Sequence, residues 1–276
     1  MNQALELSRG QFDLVYNSFS LTIAAMGASL IFFLLMRERV RPDHRIAVTI
    51  TTLVVGIALY HYLRIFASWS DAFTYVDGRY VADGRPFNEG YRYVDWLLTV
   101  PLLLAELVLV LKMAKTPTRN LIIKLGIAAV AMIALGYPGE VAAADSTTRT
   151  VFGVLSTIPF LYILYVLFVQ LGRSLGRQSP RVRKLLDGMR FLLPATWGVY
   201  PLAYIAPSVI SNDATAEVVR QVGYSIADIL AKPVFGMFIL LVAIIKSRTD
   251  DEVTGDEMSA DEVSGDAAER RALADA

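Results

Sequence analysis

The chain has no cysteine among its 276 residues. Disulfides, thiolate metal sites and cysteine nucleophiles are therefore excluded. It has two histidines, His44 and His61, too few for a histidine metal cage. It also lacks an excess of either charge: 26 Lys+Arg stand against 26 Asp+Glu, so nothing in the balance points to nucleic acid. Met1 to Arg9 show no basic stretch followed by a short apolar core and a cleavage site, and no cleaved signal peptide is expected.

What the chain has is apolar residues, 55% of the total, gathered in several runs of about twenty. That pattern predicts a polytopic all-α membrane protein. Seven spans are readable: helix A Phe12–Met36, helix B Arg45–Trp69, helix C Gly90–Met113, helix D Leu121–Val141, helix E Thr150–Leu171, helix F Val182–Ile210 and helix G Val219–Lys246. Helix D is short and interrupted at Gly136-Tyr137-Pro138-Gly139. Residues 1–248 form one membrane domain on this reading. The stretch 249–276 is acidic and rich in small residues, as a disordered tail would be.

Loop charges set an orientation. Arg37, Arg39, Arg41 and Arg45 lie between A and B, Lys112, Lys115 and Arg119 between C and D, and Arg173, Arg177, Arg181, Arg183 and Lys184 between E and F. Lys246 and Arg248 follow helix G. The other loops mix signs. The positive-inside rule then predicts an extracellular N-terminus and a cytoplasmic C-terminus. In the B–C loop, Thr74-Tyr75-Val76-Asp77-Gly78-Arg79-Tyr80-Val81 places β-formers on both sides of Asp-Gly, which predicts an extracellular β-hairpin.

Charged groups inside the spans are the candidates for function. Lys232 lies near the middle of helix G, where an isolated charge costs roughly 2.5–3.5 kcal/mol on insertion scales. Snorkelling to a helix end is awkward from that depth. Asp228 is four residues earlier, on the same helix face, and can pair with it. A desolvated lysine gives up its proton readily and condenses with an aldehyde, and the protonated Schiff base then needs a nearby anion. On helix C, Arg92, Asp95, Thr99 and Glu106 fall in one stripe at about 100° per residue. Such a stripe is either a set of interhelical ion pairs or a proton or ion path; Lys232 and Asp228 favour the path. Glu106 is about 16 Å along the helix from Asp95 at 1.5 Å per residue.

With these residues assembled, the chain resembles the microbial rhodopsins, and among them the xanthorhodopsin- and proteorhodopsin-like proton pumps. The resemblance implies a seven-helix bundle in the plasma membrane and all-trans retinal on Lys232. It implies Asp95 as primary proton acceptor, Asp228 as second counterion, Arg92 as the exit-side arginine and Glu106 as donor. Asp95, Thr99 and Glu106 match the Asp-Thr-Glu triplet of such pumps, and His61 matches a helix B histidine that bonds the acceptor. Trp96 and Trp197 match the indoles enclosing the polyene; Tyr93, Met132, Gly136, Ser156, Phe160, Tyr200 and Pro201 match further pocket residues, and Leu103 matches the colour-tuning position. Gly153 stands where many relatives carry tryptophan. This implies a window for a carotenoid antenna, with Thr157, Tyr204 and Ile205 lining it. Arg220 occupies a position where archaeal pumps carry a proton-release carboxyl, so no release group is named. The family also implies a homo-oligomer, pentamer or trimer. The expected activity is light-driven outward proton pumping; the alternative is a photosensory receptor acting through a partner protein.

Overall fold

The computed structural model describes residues 5–110, 115–176 and 178–250. Its elements run β1 (Glu6–Ser8), α1 (Arg9–Arg37), α2 (Pro42–Asp71), β2 (Phe73–Val76), β3 (Arg79–Ala82), α3 (Gly90–Val110), α4 (Lys115–Glu140), α5 (Thr147–Leu175), α6 (Pro180–Trp197), α7 (Val199–Val209) and α8 (Asp213–Ile229). A π-helical turn, Leu230–Val234, follows α8, and helix resumes to Asp250. These make the seven expected crossings, because α6 and α7 are two halves of helix F. Six of the crossings are single helices long and apolar enough to traverse a bilayer, and the chain is a multi-pass membrane protein. Helix F divides at Gly198, whose amide bonds back to Pro194. A Cβ there would stand 2.9 Å from the Pro194 carbonyl oxygen, so the close turn at the break admits little more than glycine.

The helices extend a few residues beyond the apolar runs. Apolar periodicity marks the part of a helix that meets lipid, whereas caps set its ends. Ser8 and Gln11 form a reciprocal capping box that starts α1 at Arg9. Pro42 at the first turn starts α2. Helix G continues through Thr249 and Asp250, the first two residues of the expected tail. The rest of that tail, the last residues expected of helix C, and Lys112 and Arg177 lie outside the described residues.

The expected hairpin is present as β2 and β3, with Tyr75 opposite Tyr80 and Val76 opposite Arg79. Asp77 and Gly78 take φ of 47° and 86°, the two positive values that a tight hairpin turn of this length needs. The structure adds a third strand: β1 pairs with β3, giving the order β1-β3-β2. This small sheet closes one end of the bundle, called here the sheet end. Phe12 stacks on Tyr80 with ring centroids 3.7 Å apart, and Trp69 packs on Phe73. A larger apolar core fills the opposite, far half from Leu103 and Leu107 across to Ile239 and Val242. Leu14, Leu21, Ile31, Leu35, Ile127, Ile158 and Leu161 are exposed, which suits a surface solvated by lipid tails rather than water.

Helix G passes very close to α1 and α2 at Gly236. A Cβ built there would lie 2.9 Å from Phe33 Cζ and nearer still to the Thr51 methyl. Both neighbours are fully buried and have nowhere to retreat. Gly236→Ala is therefore expected to lower stability by about 1–3 kcal/mol through overpacking, read as a lower midpoint of unfolding in detergent, whereas Gly126→Ala, with open space around it, is expected to leave the midpoint unchanged.

Candidate functional site

Lys232 sits inside the π-helical turn, next to Pro233. Proline has no amide hydrogen to donate, and one-turn π bulges are a common way for helices to absorb such a loss at functional sites. The side chain is 1% exposed. Its Nζ lies 2.5 Å from Asp95 Oδ2 on α3 and 3.1 Å from Asp228 Oδ1 on helix G. Both carboxylates are fully buried. The two anions predicted for this lysine are thus brought to it from two different helices, and Asp95 is the nearer.

The two carboxylates are held differently. Asp228 accepts hydrogen bonds from Tyr62 (2.8 Å), Tyr200 (2.6 Å) and the Trp96 indole (3.2 Å). Three donors anchor an anion firmly. Asp95 has Lys232 on Oδ2, while its Oδ1 is buried without a hydrogen-bond partner. One expectation needs correction here. His61 Nδ1 is 4.0 Å from Asp95 Oδ1, an ion-pair separation beyond hydrogen-bond reach, and lies instead 2.9 Å from the Ile57 carbonyl of its own helix. Thr99 shares the stripe, and its hydroxyl donates to the Asp95 backbone carbonyl (2.8 Å).

Glu106 is buried in the far half of the bundle, among apolar side chains, and among the described residues the side chain that hydrogen-bonds it is Thr51 of α2, 2.7 Å from Oε2. Arg92 lies on the sheet side of Lys232. It donates to Tyr62 Oη (3.0 Å) and to Gln221 Oε1 (2.7 Å). Gln221 in turn donates to Glu89 (2.7 Å) and Glu217 (2.9 Å). A continuous hydrogen-bonded series therefore runs from Asp228 through Tyr62, Arg92 and Gln221 to the carboxylates near the sheet end. Arg220 binds Glu89, Glu140 and Glu217 together at 2.8, 3.0 and 2.6 Å. Burial pushes the Glu89 carboxyl above its ordinary pKa, against the pull of Arg220.

Sequence reasoning missed Tyr62, Gln221, Glu89, Glu140 and Glu217. Gln221 was legible in principle, being seven residues before Asp228 and on the same helix face. The glutamates were not, because they come from a loop, the end of α4 and helix G, and only packing assembles them.

A cavity opens from Lys232. It is lined by every expected pocket residue: Tyr93, Trp96, Leu103, Met132, Gly136, Ser156, Phe160, Trp197, Tyr200 and Pro201, with Val100, Ile133 and Tyr224 added. Its walls are almost entirely apolar and aromatic, with the lysine amine at one end. That donor set fits an elongated apolar chromophore bearing an aldehyde. Gly153, Thr157 and Tyr204 line the same cavity, but Ile205 does not and is exposed on the outside of α7. Tyr204 is fixed by donating to the Arg149 carbonyl (2.7 Å) beneath the Arg149 guanidinium, 4.3 Å over its ring.

Residues 14–246 match the family model of bacteriorhodopsin-like proteins. The chain belongs to this family. This bacteriorhodopsin-like protein is 31% identical to a green-light absorbing proteorhodopsin of a gamma-proteobacterium over 231 residues, 83% of this chain and 86% of the relative. It is 30% identical to the bacteriorhodopsin of Halobacterium salinarum over 224 residues, 80% of each chain. Among solved structures it resembles xanthorhodopsin, described as a light-driven ion pump with dual chromophore, at 51% identity and a TM-score of 0.84, covering 90% of this chain and 99% of that one. It resembles a thermophilic rhodopsin equally closely in shape, at 50% identity and a TM-score of 0.84 over the same shares of the two chains.

Removing the central cation of the sheet-end cluster leaves three carboxylates facing one another. Arg220→Ala is therefore expected to cost about 3–5 kcal/mol, seen as a marked fall in the unfolding midpoint, with Arg220→Lys recovering part of the loss.

Proposed function

We propose that this protein is a light-driven outward proton pump that carries retinal on Lys232; it is an ion transporter, not an enzyme of metabolism. The observation that carries the reading is the placing of three buried carboxyls. Asp95 and Asp228 lie at hydrogen-bond distance from one buried lysine, while Glu106 stands apart toward the far end. Retinal, when bound, supplies light absorption and a photoisomerisation that changes the direction and basicity of the lysine-linked nitrogen.

The side chains account for the rest. Asp95 is the acceptor: it is the nearer anion, and its unpartnered Oδ1 leaves it less firmly held in the charged state than Asp228. Asp228, fixed by three donors, stays ionised and keeps the site's charge balanced against Arg92. Glu106 returns a proton from the other side. Thr51 Oγ1 lies 3.1 Å from the Ala47 carbonyl oxygen and 2.7 Å from Glu106 Oε2. With Glu106 protonated, its own hydrogen serves the Thr51 contact and leaves the Thr51 hydrogen to the Ala47 carbonyl. That is the state a donor needs before the cycle starts. Arg92, Gln221 and the Glu89–Arg220–Glu140–Glu217 cluster form the exit side. His61 biases Asp95 through space, and Thr99 fixes the local turn of α3. With the N-terminus outside and the C-terminus inside, this order of groups moves protons outward. A photosensory role would leave the Glu106–Thr51 arrangement without a use.

Lys232→Ala is expected to insert normally and to show no visible absorption with retinal; a normally coloured variant would refute the assignment. Asp95→Asn should shift absorption to the red and abolish light-driven acidification of a cell suspension. Glu106→Gln should keep the first proton transfer fast and slow the return step by about 10²-fold, so that its rate follows bulk pH.

The antenna reading rests on Gly153, with Thr157 and Tyr204. A Cβ at Gly153 would meet Tyr204 Cε1 at 3.0 Å, so a larger side chain must displace that ring and fill the window. A carotenoid added to the purified protein is expected to acquire induced circular dichroism and to contribute to the action spectrum of pumping. Gly153→Trp should remove both effects while green-light pumping survives, and undiminished transfer in that variant would put the antenna elsewhere. Self-association as a pentamer or trimer, which the family resemblance implies, is part of the same proposal and is checked by the mass of the detergent complex.

A further inference from the structure

At the far end of the bundle a buried imidazole meets a carboxylate that reaches solvent. His44, near the start of α2, has a side chain 3% exposed, and its Nε2 lies 3.0 Å from Oδ2 of Asp250, whose side chain is 38% exposed. Helix G is secured beside this pair by Ser247, whose Oγ accepts from the Arg41 amide (3.0 Å) and donates to the Ala243 carbonyl (2.8 Å). Nearby, Arg45 Nε donates to Val40 O (2.7 Å) while its guanidinium pairs with Glu38 (3.6 Å), and Lys246 Nζ donates to Val110 O (2.8 Å). Two helical turns along α2 from His44, about 10 Å at 1.5 Å per residue, is Thr51, which touches Glu106. Seven residues of helix return nearly to the same face, so His44 and Thr51 line one side of α2. Ala47 and Val48 lie between them, buried and apolar.

We propose that the Asp250–His44 pair is the proton-uptake relay that reloads Glu106. An aqueous proton is taken by the exposed Asp250 carboxylate and passed to His44 Nε2. The imidazolium then gives up a proton toward the Glu106 carboxylate and returns to neutrality. The arrangement suits this use: a carboxylate in water captures protons, imidazole is the side chain that exchanges them near neutral pH, and the apolar turn beyond keeps Glu106 isolated until the bundle opens. The inference rests on Glu106 being the internal donor, and the test separates the two.

The experiment follows the Glu106 carboxyl stretch by time-resolved infrared spectroscopy on retinal-loaded protein in membranes, the band being identified by its absence in Glu106→Gln. His44→Gln keeps a donor toward Asp250, and so preserves a structural latch, but removes the exchangeable imidazole. Recovery of the Glu106 band is expected to slow by roughly tenfold or more, with the first proton transfer unchanged and imidazole buffer restoring the rate. Asp250→Asn, at a solvent-reaching position, should give the same slowing in weaker form. Normal recovery in His44→Gln, or slowing that imidazole does not relieve, overturns the relay while leaving Glu106 as donor. A wild-type Glu106 band that never changes during the cycle overturns both.

Discussion

A lysine amine at 1% exposure in the middle of a bilayer is tolerated only if anions stand beside it. The rest of the site follows from that requirement. Asp95 and Asp228 supply the anions, but two carboxylates against one amine leave an excess of negative charge. Arg92, also buried, restores the balance from the sheet side through Tyr62. The tyrosines and the indole around Asp228 then satisfy the lone pairs that the lysine leaves over. Each added group is itself buried and polar, so each needs its own partner, and the network grows until it reaches Glu89 and Arg220 at the sheet end.

On the other side of Lys232 the chain does the opposite. Between the lysine and the far end the helices present leucine, valine and alanine, and Glu106 sits there with a threonine for company. In the proposed pump this asymmetry gives the site its direction: the hydrogen-bonded series serves proton exit toward the sheet end, and the apolar stretch delays replacement from the far end. The π-helical turn at Lys232 and the break at Gly198 lie at the boundary between the two halves, in two of the helices that line the cavity.

The cavity shows how packing turns ordinary residues into a site. Leucines, methionines and aromatics at helical spacing are what any membrane bundle contains. They become a binding site here because Gly136, where a Cβ would crowd Ser156 Oγ at 3.3 Å, keeps space open in the cavity that runs from Lys232. Gly153 does the same toward the exterior, and Arg149, tied to the Gly139 and Glu140 carbonyls, fixes the Tyr204 ring that edges the window.

The sequence alone determined the seven crossings, the hairpin and the identity of the charged groups buried in the bundle. Apolar runs of bilayer length, Asp-Gly between β-formers, and lysine or carboxylates within such runs are local signals, and the energetics behind them are local too. It also determined that Asp228 and Lys232 pair, since four residues of helix bring them together. Only the tertiary structure decided which other groups join them. The third strand β1, the donors Tyr62 and Gln221, the Arg220 cluster, the 4.0 Å gap between His61 and Asp95 and the outward turn of Ile205 all depend on how separate helices face one another. No periodicity within one helix carries that information, because a buried polar group takes its partner from whichever neighbouring helix the packing brings within reach.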